Sequence, residues 1–73
     1  MTTIWVATLN TDNFSFEAFH LQADEALRTL NHGLQRHCRL YRVDYAEFMQ
    51  EYERGIEVTP RLVGGAYCDG HPL

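Results

Sequence analysis

The sequence predicts an α+β domain in which a small antiparallel sheet of three or four strands carries two helices on one face. Apolar side chains in residues 21–42 recur at the three- and four-residue spacing of one helical face. Flanking stretches alternate with the two-residue period of strands. Residues 44–47 have the pattern of a helix start. The predicted order is therefore β-β-α-α-β, with one more short strand near the C-terminus as an extension of the sheet.

Two strands joined by a turn are expected at the N-terminus. Residues 2–9 are rich in β-branched side chains and are apolar on both faces. The polar residues 10–13 favour a turn, because Asn and Asp bond to their own backbone. Apolar and polar side chains then alternate over residues 14–18, which predicts a second strand with Phe14 and Phe16 facing inward.

The segment 21–42 predicts a helix of about 18 residues, far longer than a strand. Its apolar stripe consists of Leu27, Leu30, Leu34, His37, Cys38 and Tyr41. Asp24 and Glu25 near the start, and arginines near the end, match the polarity of the helix dipole. Gly33 lies inside the pattern, where glycine weakens a helix, and predicts first a close approach by another backbone and, as the alternative, a kink in the helix.

A second helix is expected to begin after Asp44. Asp44 is placed as the N-cap and Glu47 completes a capping box, while Val43 and Phe48 form a hydrophobic staple. Gly55 is placed to end this helix in the left-handed conformation.

The C-terminal third predicts an edge strand followed by a turn. Residues 56–63 have strand character, but Pro60 lacks an amide donor and restricts this strand to an edge. The glycines at 64–65 indicate a turn, residues 66–68 a short strand, and residues 69–72 a tail.

The predicted core combines the inward positions of these elements. It comprises Ile4, Val6, Phe14, Phe16, Leu27, Leu30, Leu34, Tyr41, Phe48, Tyr52, Ile56 and Val58. With 73 residues, the chain has apolar material for one core, so residues 1–73 are expected to form a single compact domain. A free sheet edge also leads us to expect a homodimer.

Composition indicates a soluble cytoplasmic protein. No basic segment followed by a long apolar run precedes the first strand, so neither a signal peptide nor a membrane contact is expected. The two cysteines, Cys38 and Cys68, are expected to be free thiols in a reducing compartment.

One combination of residues suggests a metal site. His37, Cys38, Cys68 and His71 include a Cys-x-x-His pair, and together they could supply four ligands of the two types that suit zinc. However, a thiol and an imidazole beside an apolar helical stripe are ordinary packing residues, and adjacent helical residues point about 100° apart. The structural interpretation is favoured, and no metal or other cofactor is expected.

No catalytic pattern is present in the sequence. A cysteine activated by a neighbouring histidine would be the corresponding enzyme, but no phosphate loop or nucleophile elbow accompanies it. We therefore expect a protein that is not an enzyme and has no catalytic residues.

The charges divide between the two predicted helices. Residues 21–42 contain four arginines and two acids, whereas residues 43–57 contain one arginine and five acids. A basic face on the first helix, suited to phosphate, would contain Arg28, His32, Arg36, Arg39 and Arg42. This face is the alternative hypothesis, a nucleic-acid-binding module, which the net charge of −4 disfavours.

The leading hypothesis is a partner-binding acidic face. It comprises Asp12, Glu17, Asp44, Glu47, Glu51, Glu53 and Glu57. Such a face would dock on a larger protein or nucleoprotein complex with a basic surface. In size and charge the chain resembles small phage- and plasmid-encoded inhibitors of host machinery, including anti-CRISPR and anti-restriction proteins. That resemblance, which involves no motif, implies an inhibitor or regulator of such machinery.

Overall fold

The predicted α+β architecture is confirmed by a computed structural model that describes residues 2–73. The elements are β1 (Thr3–Asn10), β2 (Ser15–His20), α1 (Ala23–Tyr41), α2 (Tyr45–Tyr52), a 3-10 turn (Glu53–Gly55), β3 (Glu57–Leu62), β4 (Tyr67–Cys68) and β5 (His71–Pro72). Within residues 2–73, no helix has the length and apolar character needed to cross a membrane.

β1 is the central strand of an antiparallel sheet with the order β2-β1-β3. Ala7 is paired with Ala18 on one side and with Val58 on the other. Pro60 lies in β3, opposite Trp5, where it belongs to an edge strand as its missing amide donor predicts.

Both helices pack on one face of this sheet. Ala7, Leu9 and Ala18 join Leu30 of α1 and Phe48 of α2 in one buried cluster. Val6 is also buried, but on the opposite face and outside this cluster, and Ile4 is only half-buried. Burial of Val6 is therefore confirmed, whereas Ile4 is not part of the core, and the prediction missed Ala7 and Leu9, the β1 residues that the helices cover. Because β1 is apolar on both faces, its alternation did not identify the one that the helices cover.

α1 buries the face formed by Ala26, Leu30, Leu34 and Cys38. The predicted close approach at Gly33 is wrong, since a Cβ atom built there would meet only the Arg36 side chain at 3.8 Å.

α2 begins as predicted, because the Asp44 carboxylate accepts a hydrogen bond from the Glu47 amide at 3.0 Å. Its end differs from the prediction. Gly55 does not adopt positive φ and instead closes a 3-10 turn. A Cβ atom at this position would lie 3.3 Å from Cδ1 of Leu9, so the residue permits a close approach to β1.

The short strand predicted at residues 66–68 is present as β4, but it pairs with β5, where a tail was predicted, and not with the main sheet. Asp69 and Gly70 have φ values of 49° and 83°, and they connect β4 to β5. Positive φ at both turn residues is typical of the type I′ turn that joins antiparallel strands. The hairpin lies beside β3, where the Arg61 guanidinium carbon is 4.9 Å from the centre of the Tyr67 ring.

Two predicted core residues lie at the surface. Phe14 is 41% exposed and Tyr41 is 54% exposed. Phe14 precedes the first residue of β2, and Tyr41 is the last residue of α1. A helical or strand period shows which face of an element points inward, but it does not show where the opposing layer ends. Both side chains therefore lie on the predicted faces but beyond the end of the core.

Candidate functional site

A concave surface that combines apolar and acidic groups lies at the C-terminal end of α1, where the chain passes into α2. It is a cavity of about 470 Å³ between the β1–β2 turn, the last turn of α1 and the outer side of α2. We call it the end cavity. Its lining residues are Thr11, Asp12, Asn13, Phe14, His37, Tyr41, Val43, Glu47, Phe48, Glu51 and Tyr52.

The turn that forms one wall of the end cavity is held by local hydrogen bonds. The Thr11 amide donates to the Phe14 carbonyl at 2.8 Å, and the Phe14 amide donates to the Thr11 hydroxyl at 3.1 Å. At its base, the Ser15 hydroxyl donates to the Asn10 side chain at 2.6 Å. This network fixes the position of Asp12 relative to the two strands.

Aromatic rings form a continuous lining in the end cavity. The His37 ring lies 4.6 Å from the rings of both Phe14 and Tyr41, measured between centroids. On the other side, Phe48 lies 4.9 Å from Tyr52. Phe48 is buried, whereas Phe14 and Tyr41 keep about half of their surfaces exposed. The cavity therefore has a packed floor and an accessible aromatic rim.

Three carboxylates surround these rings: Asp12 from the turn, and Glu47 and Glu51 one helical turn apart on α2. Within residues 2–73, the one ion pair joins Arg28 to Glu25 at 3.2 Å. None of these three carboxylates therefore forms an ion pair with a cationic side chain in that part of the chain. Two of them affect Tyr52: the charge of Glu51 raises the pKa of its phenol above the ordinary value, and partial burial and the charge of Asp12 raise it further.

The structure divides the predicted acidic face into separate groups. Glu17 and Glu57 both pair with Thr8, so they lie in one row across the outer face of the sheet, away from the helices. There they line another cavity, of about 380 Å³, together with Arg61 and Asp69.

The two remaining acids lie at the ends of α2. Asp44 caps the start of the helix through the Glu47 amide, and Glu53 begins the 3-10 turn after it. Glu53 lines a third concave region beside Leu27 and Asn31. The end cavity thus brings together Asp12, Glu47 and Glu51 out of the seven predicted acids.

The predicted arginine face is present on α1. Its five side chains, those of Arg28, His32, Arg36, Arg39 and Arg42, are all exposed. Arg28 is engaged by Glu25, and Arg42 follows the helix in the left-handed conformation with φ of 56°. None of the five lines the end cavity.

The four candidate metal ligands occupy different layers of the fold. Cys38 is buried between α1 and the sheet, and burial raises the pKa of its thiol, with a further contribution from the charge of Asp44. Cys68 and His71 are exposed partners in the C-terminal hairpin. His37 packs among the aromatic rings. No group of three or more His, Cys, Asp or Glu side chains in residues 2–73 is arranged to hold a metal ion.

Three residues that line the end cavity were predicted to belong to the core: Phe14, Tyr41 and Tyr52. One available signal was position, since Phe14 directly follows a polar turn and Tyr41 ends a helix. Aromatic side chains at the ends of elements extend past the layer they pack against and keep one surface accessible.

An aromatic cavity ringed by carboxylates is chemically suited to a cation. Ring faces carry negative electrostatic potential, and nearby carboxylates add to it. Comparisons with known proteins give no family to attach to this geometry: no family model matches the chain, and no curated protein or solved structure matches it either.

Proposed function

We propose that this is a small non-enzymatic interaction protein that binds a basic surface of a larger macromolecular partner through its acidic end. The observation that carries the proposal is the convergence of Asp12, Glu47 and Glu51 on one cavity with accessible aromatic rings. Interfaces gain most of their affinity from buried aromatic and charged anchors, and this end of the molecule presents both. The consequence for the partner is inhibition or regulation, through occupation of a basic groove.

The charge arrangement of α2 favours such binding. Glu47 and Glu51 are exposed and four residues apart. Like charges at this spacing destabilise an isolated helix by about 0.2–0.5 kcal/mol. A basic partner removes that repulsion, and the same negative field accelerates the encounter with a positively charged surface.

Charge reversal in two matched variants tests the proposal. Glu47→Arg with Glu51→Arg alters the end cavity, whereas Glu17→Arg with Glu57→Arg alters the outer face of the sheet. Both change the formal net charge from −4 to 0. The probe is a fluorescent nonaarginine peptide, a stand-in for a basic groove, and its anisotropy is followed across a salt series after circular dichroism has shown each variant to be folded.

We expect the end-cavity variant to lose about tenfold or more in affinity for this peptide, and the outer-face variant to lose much less. An equal loss in both variants would show that net charge, rather than this surface, governs binding. Unchanged affinity in the end-cavity variant would reject the proposal directly.

A nucleic-acid-binding function through α1 is the second candidate. The supporting observation is that Arg36 and Arg39 are both exposed on α1, and neither forms an ion pair with an acidic side chain of residues 2–73. In a gel-shift series, this function predicts affinity for DNA or RNA that falls steeply with salt and with Arg36→Ala or Arg39→Ala. The acidic-end proposal predicts no shift by the protein alone.

We also propose that a second copy of the chain pairs along the free edge of β2. This six-residue strand has β1 on one side only. Phe19, near its end, is 56% exposed, and Leu21, just after it, is 65% exposed. An unpaired strand edge next to apolar side chains favours symmetric strand pairing.

A further inference from the structure

We propose that the end cavity binds the guanidinium group of a single arginine side chain presented by the partner. This inference rests on the proposed function and specifies its central contact. It assigns a chemical class of ligand to the cavity, where the proposed function requires only a basic surface.

The size and depth of the cavity suit one side chain entering from solvent. Its volume of about 470 Å³ falls within the range of roughly 300–1,000 Å³ that is usual for ligand pockets. Phe48 closes the floor at 7% exposure, and His37 is held among rings on both sides. The lining is therefore largely formed before a ligand arrives, which limits the ordering cost of binding.

The exposed rings provide surfaces on which a guanidinium group can stack. Phe14 and Tyr41 lie 5.4 Å apart, and their planes are inclined by 54°. Tyr52 faces the cavity from α2. A planar, weakly hydrated guanidinium stacks on such rings and loses less hydration than an ammonium group does. In the free protein, the same rings leave apolar surface in water, and a stacked ligand would cover it.

The charges at the rim provide acceptors in more than one direction. Asp12 approaches from the turn, and Glu47 and Glu51 approach from α2. Arginine has five donors in a fixed fork, so it can satisfy carboxylates on two elements at once. The carbonyl end of α1 lies on the same side of the molecule and also favours a positive charge. No arginine of residues 2–73 lines the cavity to compete for these acceptors.

A peptide titration of the full chain tests the inference. The probes are three capped pentapeptides that have two glycines on each side of arginine, of citrulline or of lysine. Citrulline keeps the shape of arginine without its charge. We expect the arginine peptide to cause saturable NMR shifts in the rings of Phe14, Tyr41 and Tyr52. The citrulline peptide should bind at least about tenfold more weakly and the lysine peptide about threefold more weakly.

Two conservative double variants localise the binding. Asp12→Asn with Glu51→Gln keeps the shape of the cavity and removes two charges, and it should weaken the arginine peptide about tenfold or more. Glu17→Gln with Glu57→Gln removes two charges from the outer face and should leave the affinity unchanged. Both pairs lie at exposed positions, so folding is expected to be preserved.

Three results would overturn the inference: equal affinity for the arginine and citrulline peptides, equal or higher affinity for the lysine peptide, or ring shifts unaffected by the Asp12→Asn and Glu51→Gln pair. Failure here is distinguishable from failure of the proposed function. If nonaarginine still binds and is sensitive to Glu47→Arg with Glu51→Arg, the acidic end binds basic surfaces without a dedicated arginine pocket. If nonaarginine does not bind either, both proposals fall.

Discussion

At the scale of single residues, Tyr52 reports the electrostatic state of the end cavity. Its ring packs against Phe48, while its phenol lies within the fields of Glu51 and Asp12. These carboxylates oppose ionisation of the phenol and raise its pKa above the ordinary value of 10.0. Because the folded chain holds this proton more tightly than the unfolded chain, the contribution to stability is fully present below pH 10. It is lost as the pH rises through the folded pKa.

We predict that Glu51→Gln lowers the pKa of Tyr52 toward its ordinary value, because Glu51 is the largest cause of the shift. The measurement is a pH titration of the tyrosine ring carbons by NMR. Glu57→Gln is the matched control, since Glu57 lies in the outer-face row and not beside the cavity. An unchanged Tyr52 titration in the Glu51 variant would show that burial, and not this charge, is the main cause.

The sequence predicted the charged part of the site better than the aromatic part. The capping box fixed the residue at which α2 begins, and the helical period counted from that residue placed Glu47 and Glu51 on the outer face. Phe14 and Tyr41 were assigned to the core because a periodic pattern gives direction but not depth. Their role depends on where the sheet stops relative to α1, which is a tertiary property that local sequence does not encode.

At the scale of elements, the end of α1 contains a conformation unusual for its residue. Arg42 has φ of 56° and ψ of 41°. Its amide donates to the Arg39 carbonyl at 3.3 Å, and the Val43 amide donates to the Cys38 carbonyl at 2.8 Å. This pair of bonds is the Schellman motif, whose left-handed position is usually glycine. The left-handed form costs a non-glycine residue about 1–2 kcal/mol.

We predict that Arg42→Gly stabilises the protein by about 0.5–1 kcal/mol, after the greater flexibility of glycine in the unfolded chain is subtracted. Arg39→Gly makes the same chemical change within the last turn of α1 and should instead destabilise by about 1 kcal/mol. Urea unfolding midpoints of the two variants provide the comparison. A midpoint that falls for Arg42→Gly would mean that contacts of the arginine side chain outweigh the backbone strain.

Whether a segment forms a helix, a strand or a turn was predictable from the sequence wherever the residues of that segment alone determine it. The helices, the edge position of β3 and the glycine turn all follow from periodicity, Pro60 and turn residues. The face of β1 that carries the helices was not determined, because both faces are apolar. The C-terminal hairpin was missed although Asp69-Gly70 is a favoured type I′ pair, since only two residues of strand flank it on each side.

At the scale of the whole molecule, the protein is elongated and has a large surface for its mass. Its dimensions are 40 × 22 × 19 Å, and its radius of gyration is 13.1 Å, compared with about 11 Å for a typical compact domain of this length. The accessible surface is 5513 Å², compared with about 4,700 Å² for a compact monomer of the same mass. The excess of roughly 800 Å² is similar to what one partner contributes to a standard interface.

We predict concentration-dependent self-association through β2, because it is an edge strand without proline, whereas the other edge strand, β3, contains Pro60. Sedimentation velocity over a wide concentration range measures it. Phe19→Lys places a charge beside the edge and should shift the association to higher concentration. Val63→Lys, at a similarly exposed position outside the sheet, should not. A single monomeric species at every concentration would contradict this prediction.

The central position of β1 also sets an order of events during synthesis. β1 is synthesised before the other elements, and β2 and α1, which follow it in the chain, cover one edge and one face of it. The other edge is completed only by β3, whose residues Glu57–Leu62 are synthesised after both helices. Until then, the nascent chain presents an unpaired apolar strand, the kind of surface that chaperones bind and that promotes aggregation. A stop codon before residue 57 would make that transient state permanent.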